Sequence, residues 1–202
     1  MKKIVLLIFF LFLFSNPLYS QTSFSISVKD EESGFAFSIS NFYKVPEREV
    51  IIIKNRGIPE EELPVVFFIA SKAKVKPQTI IDLRLKGLSW MDISLKYGLT
   101  ADVYYVPVKG EVGPPFGKAY GHFKKHHKHK WKEIRLDDDD IINLVNLKFI
   151  SEYHGIEPDI IIKQKAEGKR YVVIDKEFKE KKHKHKKEKD KKKKYKKHKD
   201  ND

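Results

Sequence analysis

Two stretches, FIASKAKVKPQTIIDLRLKGLSWMDI (Phe68–Ile93) and FISEYHGIEPDIIIKQKAEGKRYVVI (Phe149–Ile174), align without a gap at one constant offset of 81 residues. Under that shift Pro77 meets Pro158, Gly87 meets Gly168, and Ile80 and Ile81 meet Ile161 and Ile162. Trp90 meets Tyr171, and Ile93 meets Ile174. Apolar and punctuating residues that recur at a single spacing mark an internal duplication. A weaker third copy is traced upstream in VIIIKNRGIPEEEL (Val50–Leu63), where Val50, Lys54, Gly57 and Leu63 fall 30 residues before Ile80, Arg84, Gly87 and Ile93, with Pro46 one residue out of register.

The repeated unit reads as a helix, a proline start, a second helix, a glycine stop and a third helix. Pro77 and Pro158 suit the first helical turn, where a missing amide hydrogen costs nothing. Gly87 and Gly168 suit a left-handed stop, with Arg84, Lys86 and Lys165 near the negative end of the helix dipole. Ser89 is placed to cap the third helix, whose Trp90, Ile93 and Tyr97 recur at spacings of three and four. Ile142, Val145, Phe149 and Tyr153 form a comparable stripe in the second copy. The four aspartates Asp137–Asp140 sit at the start of that helix, where negative charge is favoured by about 0.3–1 kcal/mol per residue.

The ends differ from the middle. MKKIVLLIFFLFLFSNPLYSQ opens with two lysines, an apolar run from Ile4 to Phe14, then Asn16, Pro17 and small residues. That order is a secretory signal over residues 1–20, too short to span a hydrocarbon core of about 20 apolar residues, so the expected location is periplasmic or secreted with no transmembrane segment after cleavage. The chain has no cysteine, which excludes disulfides and thiolate ligands or nucleophiles. From Lys179 onward, fourteen lysines face five acids, a net charge of +9 out of +13 for the whole chain. Residues 179–202 are expected to be a disordered lysine-rich tail, because they have too little apolar surface to offset the entropy of ordering.

Residues 21–44, around SFSISVKDEESGFAFSISNF, alternate Phe24, Ile26, Val28 and then Phe35, Phe37, Ile39 about a DEESG turn. They are expected to form a β-hairpin or a loosely held N-terminal arm. Residues 101–135 read as a strand followed by a long loop. The expected fold is therefore mainly α: duplicated three-helix units over residues 45–178, with a short N-terminal β-hairpin and a long central loop.

KGLSWMDISLKYGLT (Lys86–Thr100) resembles the first half of a helix-turn-helix. The reading helix that should follow is replaced by ADVYYVPV, which lacks basic residues, so sequence-specific DNA binding is not expected. VPEREVIIIKNRGIPEEELPVVFFIASKA, the proline-to-glycine unit after it, GPPFGKAYG and DDDDIINLVNL together resemble a group of uncharacterised exported bacterial proteins. That resemblance covers about Phe42–Phe178 and implies no activity.

GHFKKHHKHKWK (Gly121–Lys132) puts four histidines among five lysines. His122, His126, His127 and His129 are candidate ligands for zinc, nickel or copper, with Asp137–Asp140 as further oxygen donors. The spacing matches no closed structural site. The alternative is a solvated basic loop that folds back on the aspartates and is neutralised by them. No catalytic set assembles: His154 stands alone, Ser89 is explained as a cap, and Asp82 and Asp92 fall on polar faces. The function expected first is an exported, non-enzymatic binding or structural protein of the bacterial cell envelope. Its tail would contact an anionic envelope surface or other polyanion and its repeats a protein partner. The function expected second is a metal-handling protein using the histidine clusters.

Overall fold

The computed structural model describes residues 31–199. The signal segment and the first half of the expected hairpin, Phe24–Val28, lie outside them. In chain order the helices are α1 (Glu31–Tyr43), α2 (Glu47–Asn55), α3 (Leu63–Ala73), α4 (Pro77–Leu85), α5 (Trp90–Lys96), α6 (Gly117–Lys125), α7 (Asp138–His154), α8 (Pro158–Ala166) and α9 (Tyr171–Lys199). Short 3-10 turns sit at Glu60–Glu62, Ala101–Tyr104 and Lys128–Glu133. No described helix is long and apolar enough to cross a membrane.

α3 and α7 pack against each other at the centre, and their apolar residues are the reason. Val65, Val66, Phe67, Phe68 and Ile69 in α3, and Ile141, Leu144, Leu147, Phe149 and Ile150 in α7, are all buried. Burial on more than one side of each helix makes both core helices, flanked by α1, α4, α5, α8 and α9.

Punctuation of the two aligned stretches follows the same geometry. Pro77 and Pro158 begin α4 and α8, and the stops Gly87 and Gly168 have φ of +87° and +86°. Ile80 and Ile161, Trp90 and Tyr171, and Ile93 and Ile174 are each fully buried. The helix ahead of each proline also ends alike: Lys74 and Gly155 are left-handed, and the amides of Val75 and Ile156 reach back to the carbonyls of Ala70 and Ser151 at 3.0 Å. Thirty residues upstream of the first stretch the pattern recurs. Lys44 is left-handed, the Val45 amide reaches the Ser40 carbonyl at 3.1 Å, Gly57 has φ +92°, and Val50 is buried.

A reciprocal clasp joins the two stretches. The first amide of α5, Trp90 N–H, donates to Asp138 at the start of α7 (2.7 Å). The Arg84 guanidinium bridges Glu62 (2.9 Å) and Asp138 (2.5 Å) and stacks 4.6 Å from the centre of the Trp90 ring, whose indole N–H also donates to Glu62 (3.0 Å). In the other direction the first amide of α9, Tyr171 N–H, donates to Glu61 ahead of α3 (2.8 Å). Lys165 lies 4.2 Å from the Tyr171 ring centre and 3.6 Å from Glu61. The first amides of α5 and α9, which have no partner within their own helices, are thus each met by a carboxylate at the start of the core helix, α7 or α3, that leads into the other stretch.

Three expectations are corrected. Within the expected hairpin of residues 21–44, the described part from Glu31 to Tyr43 is the helix α1 and not a strand, because Phe35, Ile39 and Phe42 recur at helical spacing. Phe35 and Ile39 are buried whereas Phe37, their expected partner on a strand, is 50% exposed. The serines that looked like strand alternation serve elsewhere: Ser40 Oγ donates to the Val45 carbonyl (2.7 Å) and Ser38 Oγ to Asp175 (2.9 Å). The central segment holds no strand among the described residues; it contains α6, which buries Ala119 and Phe123 one turn apart.

The tail is not separate from the body at Lys179. α9 runs unbroken to Lys199, and Lys179 pairs with buried Asp175 at 2.9 Å and donates to the Gly34 carbonyl. Lysine and glutamate are strong helix formers, and the spacings Glu180 to Lys184 and Glu188 to Lys192 are those of stabilising helical pairs. The helix therefore continues past the body, with side chains 180–184 and 186–189 exposed.

Burial raises the Tyr104 phenol, with its hydrogen bond to Ser94 opposing the shift, and burial then the Glu61 charge raise that of Tyr171. A phenol whose folded value exceeds its unfolded value of about 10 contributes stability below that pH and loses it as pH rises. In an alkaline titration the last phenol deprotonations should therefore coincide with loss of helical circular dichroism above about pH 10. Complete tyrosinate formation with the helix signal intact would contradict this packing.

Candidate functional site

The residues between the two stretches build a cleft of about 560 Å³. One wall is the extended segment Val108–Val112, pinned across the start of α8 where the amides of Lys109 and Gly110 donate to Asp159 (3.3 and 3.1 Å) and Lys109 pairs with Glu157 (3.1 Å). The opposite wall is α6 and the 3-10 turn after it. Gly117 and Gly121 of α6, one turn apart, both line the cleft. A β-carbon on Gly117 would approach the Val112 carbonyl oxygen to 3.1 Å, so close packing of backbone on backbone accounts for that glycine. A β-carbon on Gly121 would meet nothing within 4 Å. Packing does not require this second glycine, which leaves the cleft floor bare.

Aromatic rings furnish the remaining surface. Tyr105 lies 4.5 Å from Trp131, 5.1 Å from Phe123 and 5.9 Å from Tyr120, measured between ring centres. Their polar atoms are turned inward: Trp131 Nε1 donates to the carbonyls of Phe123 (3.1 Å) and His126 (2.9 Å), and Tyr120 Oη donates to the Val106 carbonyl (2.6 Å). Burial, followed by the neighbouring Tyr105 and Asp159, pushes the Tyr120 phenol well above its usual value, so it stays a neutral donor. What the cleft presents is flat aromatic surface, with Lys124 and Glu111 at its edge.

Around it the basic run is unneutralised. The expected fold-back onto Asp137–Asp140 does not form: three of those carboxylates are committed elsewhere, and the exposed Asp139 forms no ion pair among the described residues. Asp137 pairs with Lys118, and Asp138 holds Arg84 and the Trp90 amide. Asp137 and Asp140 form a capping box for α7, each accepting the other's amide (2.8 and 3.3 Å). Burial works to raise Asp137, but the hydrogen bonds from Lys118 and the Asp140 amide outweigh it and hold its carboxyl below the usual range. Burial and the Asp137 charge push Asp140 the other way. Lys124, Lys125, Lys130, Lys132 and Arg135 are exposed and form no ion pair among the described residues, while Lys128 lies over the Trp131 ring at 5.8 Å.

The four histidines do not converge. His122 is half-buried on α6, His126, His127 and His129 are exposed, and His127 and His129 stack on each other 5.8 Å apart. Among the described residues no three His, Asp or Glu side chains gather as a metal-holding group.

His154 ends α7, as a helix-end residue should, but it is not isolated. Its Nε2 meets Asp175 at 2.8 Å, and the same carboxylate accepts from Ser38 and pairs with Lys179, both at 2.9 Å. Serine, histidine and aspartate are all present, but the aspartate lies between the other two. Ser38 therefore faces a carboxylate rather than the imidazole that would take its proton. Ser38 and Asp175 are fully buried, and the cluster ties α1, α7 and α9 together. The aromatic cleft, by contrast, had a signal in the spacing of Gly117, Tyr120, Gly121 and Phe123 that a loop reading discards.

Comparison with protein-family models, curated proteins and solved structures gives no match for this chain.

The two glycine classes make opposite predictions in thermal unfolding. Gly121→Ala should raise stability by about 0.5–1 kcal/mol, because helix entropy improves and nothing is displaced. Gly168→Ala, at φ +86°, should lower it by about 1 kcal/mol or more. Two changes of the same sign would contradict the assigned geometry.

Proposed function

We infer that the protein is an exported, non-enzymatic binding protein that holds to an anionic surface through a lysine arm carried on a helical body. The observation that carries this reading is the course of α9. It is part of the core as far as Phe178, is pinned at Lys179, and then continues to Lys199 with the described side chains beyond Lys179 exposed. Twenty helical residues extend about 30 Å. A helix that is polar on every side buries nothing of its own, so its lysines are left for an outside partner. Each lysine near an anionic surface contributes about 1 kcal/mol, a term that is additive at low salt and screened at high salt.

Export rests on the signal-like segment over residues 1–20, and the envelope as the site of action follows from it. The body is read as two copies of one three-helix unit. The shared proline starts, glycine stops and buried isoleucines support that reading.

The test is a truncation placed after Lys179, so that the Asp175 pair is kept. The full mature chain should be retained on vesicles containing anionic phospholipid and elute with rising salt. The chain lacking residues 180–202 should flow through with its thermal transition unchanged. Equal retention of the two would refute the arm.

A further inference from the structure

We propose that the cleft between Val108–Val112 and α6 binds single-stranded nucleic acid, its bases against the ring faces and its phosphates on the lysine rim. Sequence-tolerant single-strand sites combine a cationic track with aromatic platforms, because every base has a π-face and every nucleotide a phosphate. Both halves of that combination occur here around a cavity of about 560 Å³. The platform is Tyr105, Tyr120 and Trp131; of the cations, Lys124 lines the cleft, Lys128 lies over the Trp131 ring, and the exposed Lys125, Lys130 and Lys132 flank them in the chain.

Three observations favour this occupant over other anions. The donor atoms of Tyr120 and Trp131 are spent on main-chain carbonyls, so these rings offer faces and not hydrogen bonds. A pyranose would need hydroxyl partners there, whereas a stacked base does not. Three of the four acids that should have neutralised the lysines are occupied by Lys118, Arg84 and the cap of α7, and the exposed Asp139 alone does not offset five rim lysines, so a net positive rim is left for phosphates. Gly121 keeps the floor open at a helix position where alanine would be more stable, which is understandable if a flat group must lie there.

This goes beyond the arm and does not depend on it, because the cleft carries its own reporter. The chain has two tryptophans; Trp90 is fully buried in the clasp and Trp131 belongs to the cleft. A base stacked in the cleft quenches Trp131, while an anion held on the arm leaves both tryptophans untouched.

The experiment titrates the full mature chain with an oligothymidylate and, separately, with inorganic polyphosphate and a heparin oligosaccharide of matched charge, reading tryptophan fluorescence. Quenching is expected with the oligothymidylate alone, and it should be lost in Gly121→Leu, whose side chain fills the floor. A second variant, Lys124→Glu with Lys128→Glu on the exposed rim, should weaken the quenching titration roughly tenfold at low salt and flatten its salt dependence. No quenching by the oligothymidylate overturns the proposal. Equal quenching by polyphosphate or heparin does so too, as does a titration that neither variant changes. Failure of the arm appears separately, as vesicle retention that survives the truncation.

Discussion

The body depends on a reciprocal pair of helix-start contacts, in which carboxylates at the starts of α7 and α3 meet the first amides of α5 and α9. α5 begins at Trp90, whose amide has no partner in its own helix and finds one in Asp138, which opens α7. α9 begins at Tyr171, whose amide is met by Glu61, just ahead of α3. A cation lies over each aromatic ring, Arg84 on Trp90 and Lys165 on Tyr171, and also meets the capping carboxylate. The buried pair α3 and α7 brings the two sides of the clasp together.

That arrangement has a consequence for charge. Were Asp137–Asp140 free, they would be the nearest sink for the lysines that precede them. The clasp takes Asp138, and the capping box with Lys118 takes Asp137 and Asp140. These acids are thereby engaged by the fold, and the basic run beside the aromatic cleft stays net cationic. At the other end, the buried Asp175 cluster takes in Lys179, while the lysines among 181–184 and 186–189 are exposed on α9. In both places the fold engages a few charges and leaves others exposed.

Much of the helical body was legible because it is written in residues with few conformational options. Pro77 and Pro158 start helices, Gly87 and Gly168 stop them at positive φ, and Ser89 accepts the Asp92 amide at 3.1 Å. The N-terminal segment misled because Phe35, Phe37 and Ile39 satisfy a period of two, while Phe35, Ile39 and Phe42 satisfy a helix; tertiary contact with Phe149 favours the second. The clasp itself was invisible, since Arg84 and Lys165 have an adequate local explanation at the end of their own helices. Their aromatic and acidic partners are recognisable only once α3 and α7 lie together. The same holds for His154, whose partner Asp175 is 21 residues away. The cleft was hidden by composition: two glycines and a run of lysines and histidines read as loop, although Ala119 and Phe123 carry a helical spacing.

Residue-resolved hydrogen exchange on Asp138→Ala is the most direct measurement. The substitution lies on α7, but the cap it removes belongs to α5. The account predicts that amides in the first turn of α5 exchange about fivefold to thirtyfold faster, as expected for loss of a cap contributing about 1–2 kcal/mol. Acceleration confined to the first turn of α7, with Trp90 and its neighbours as protected as before, would contradict it.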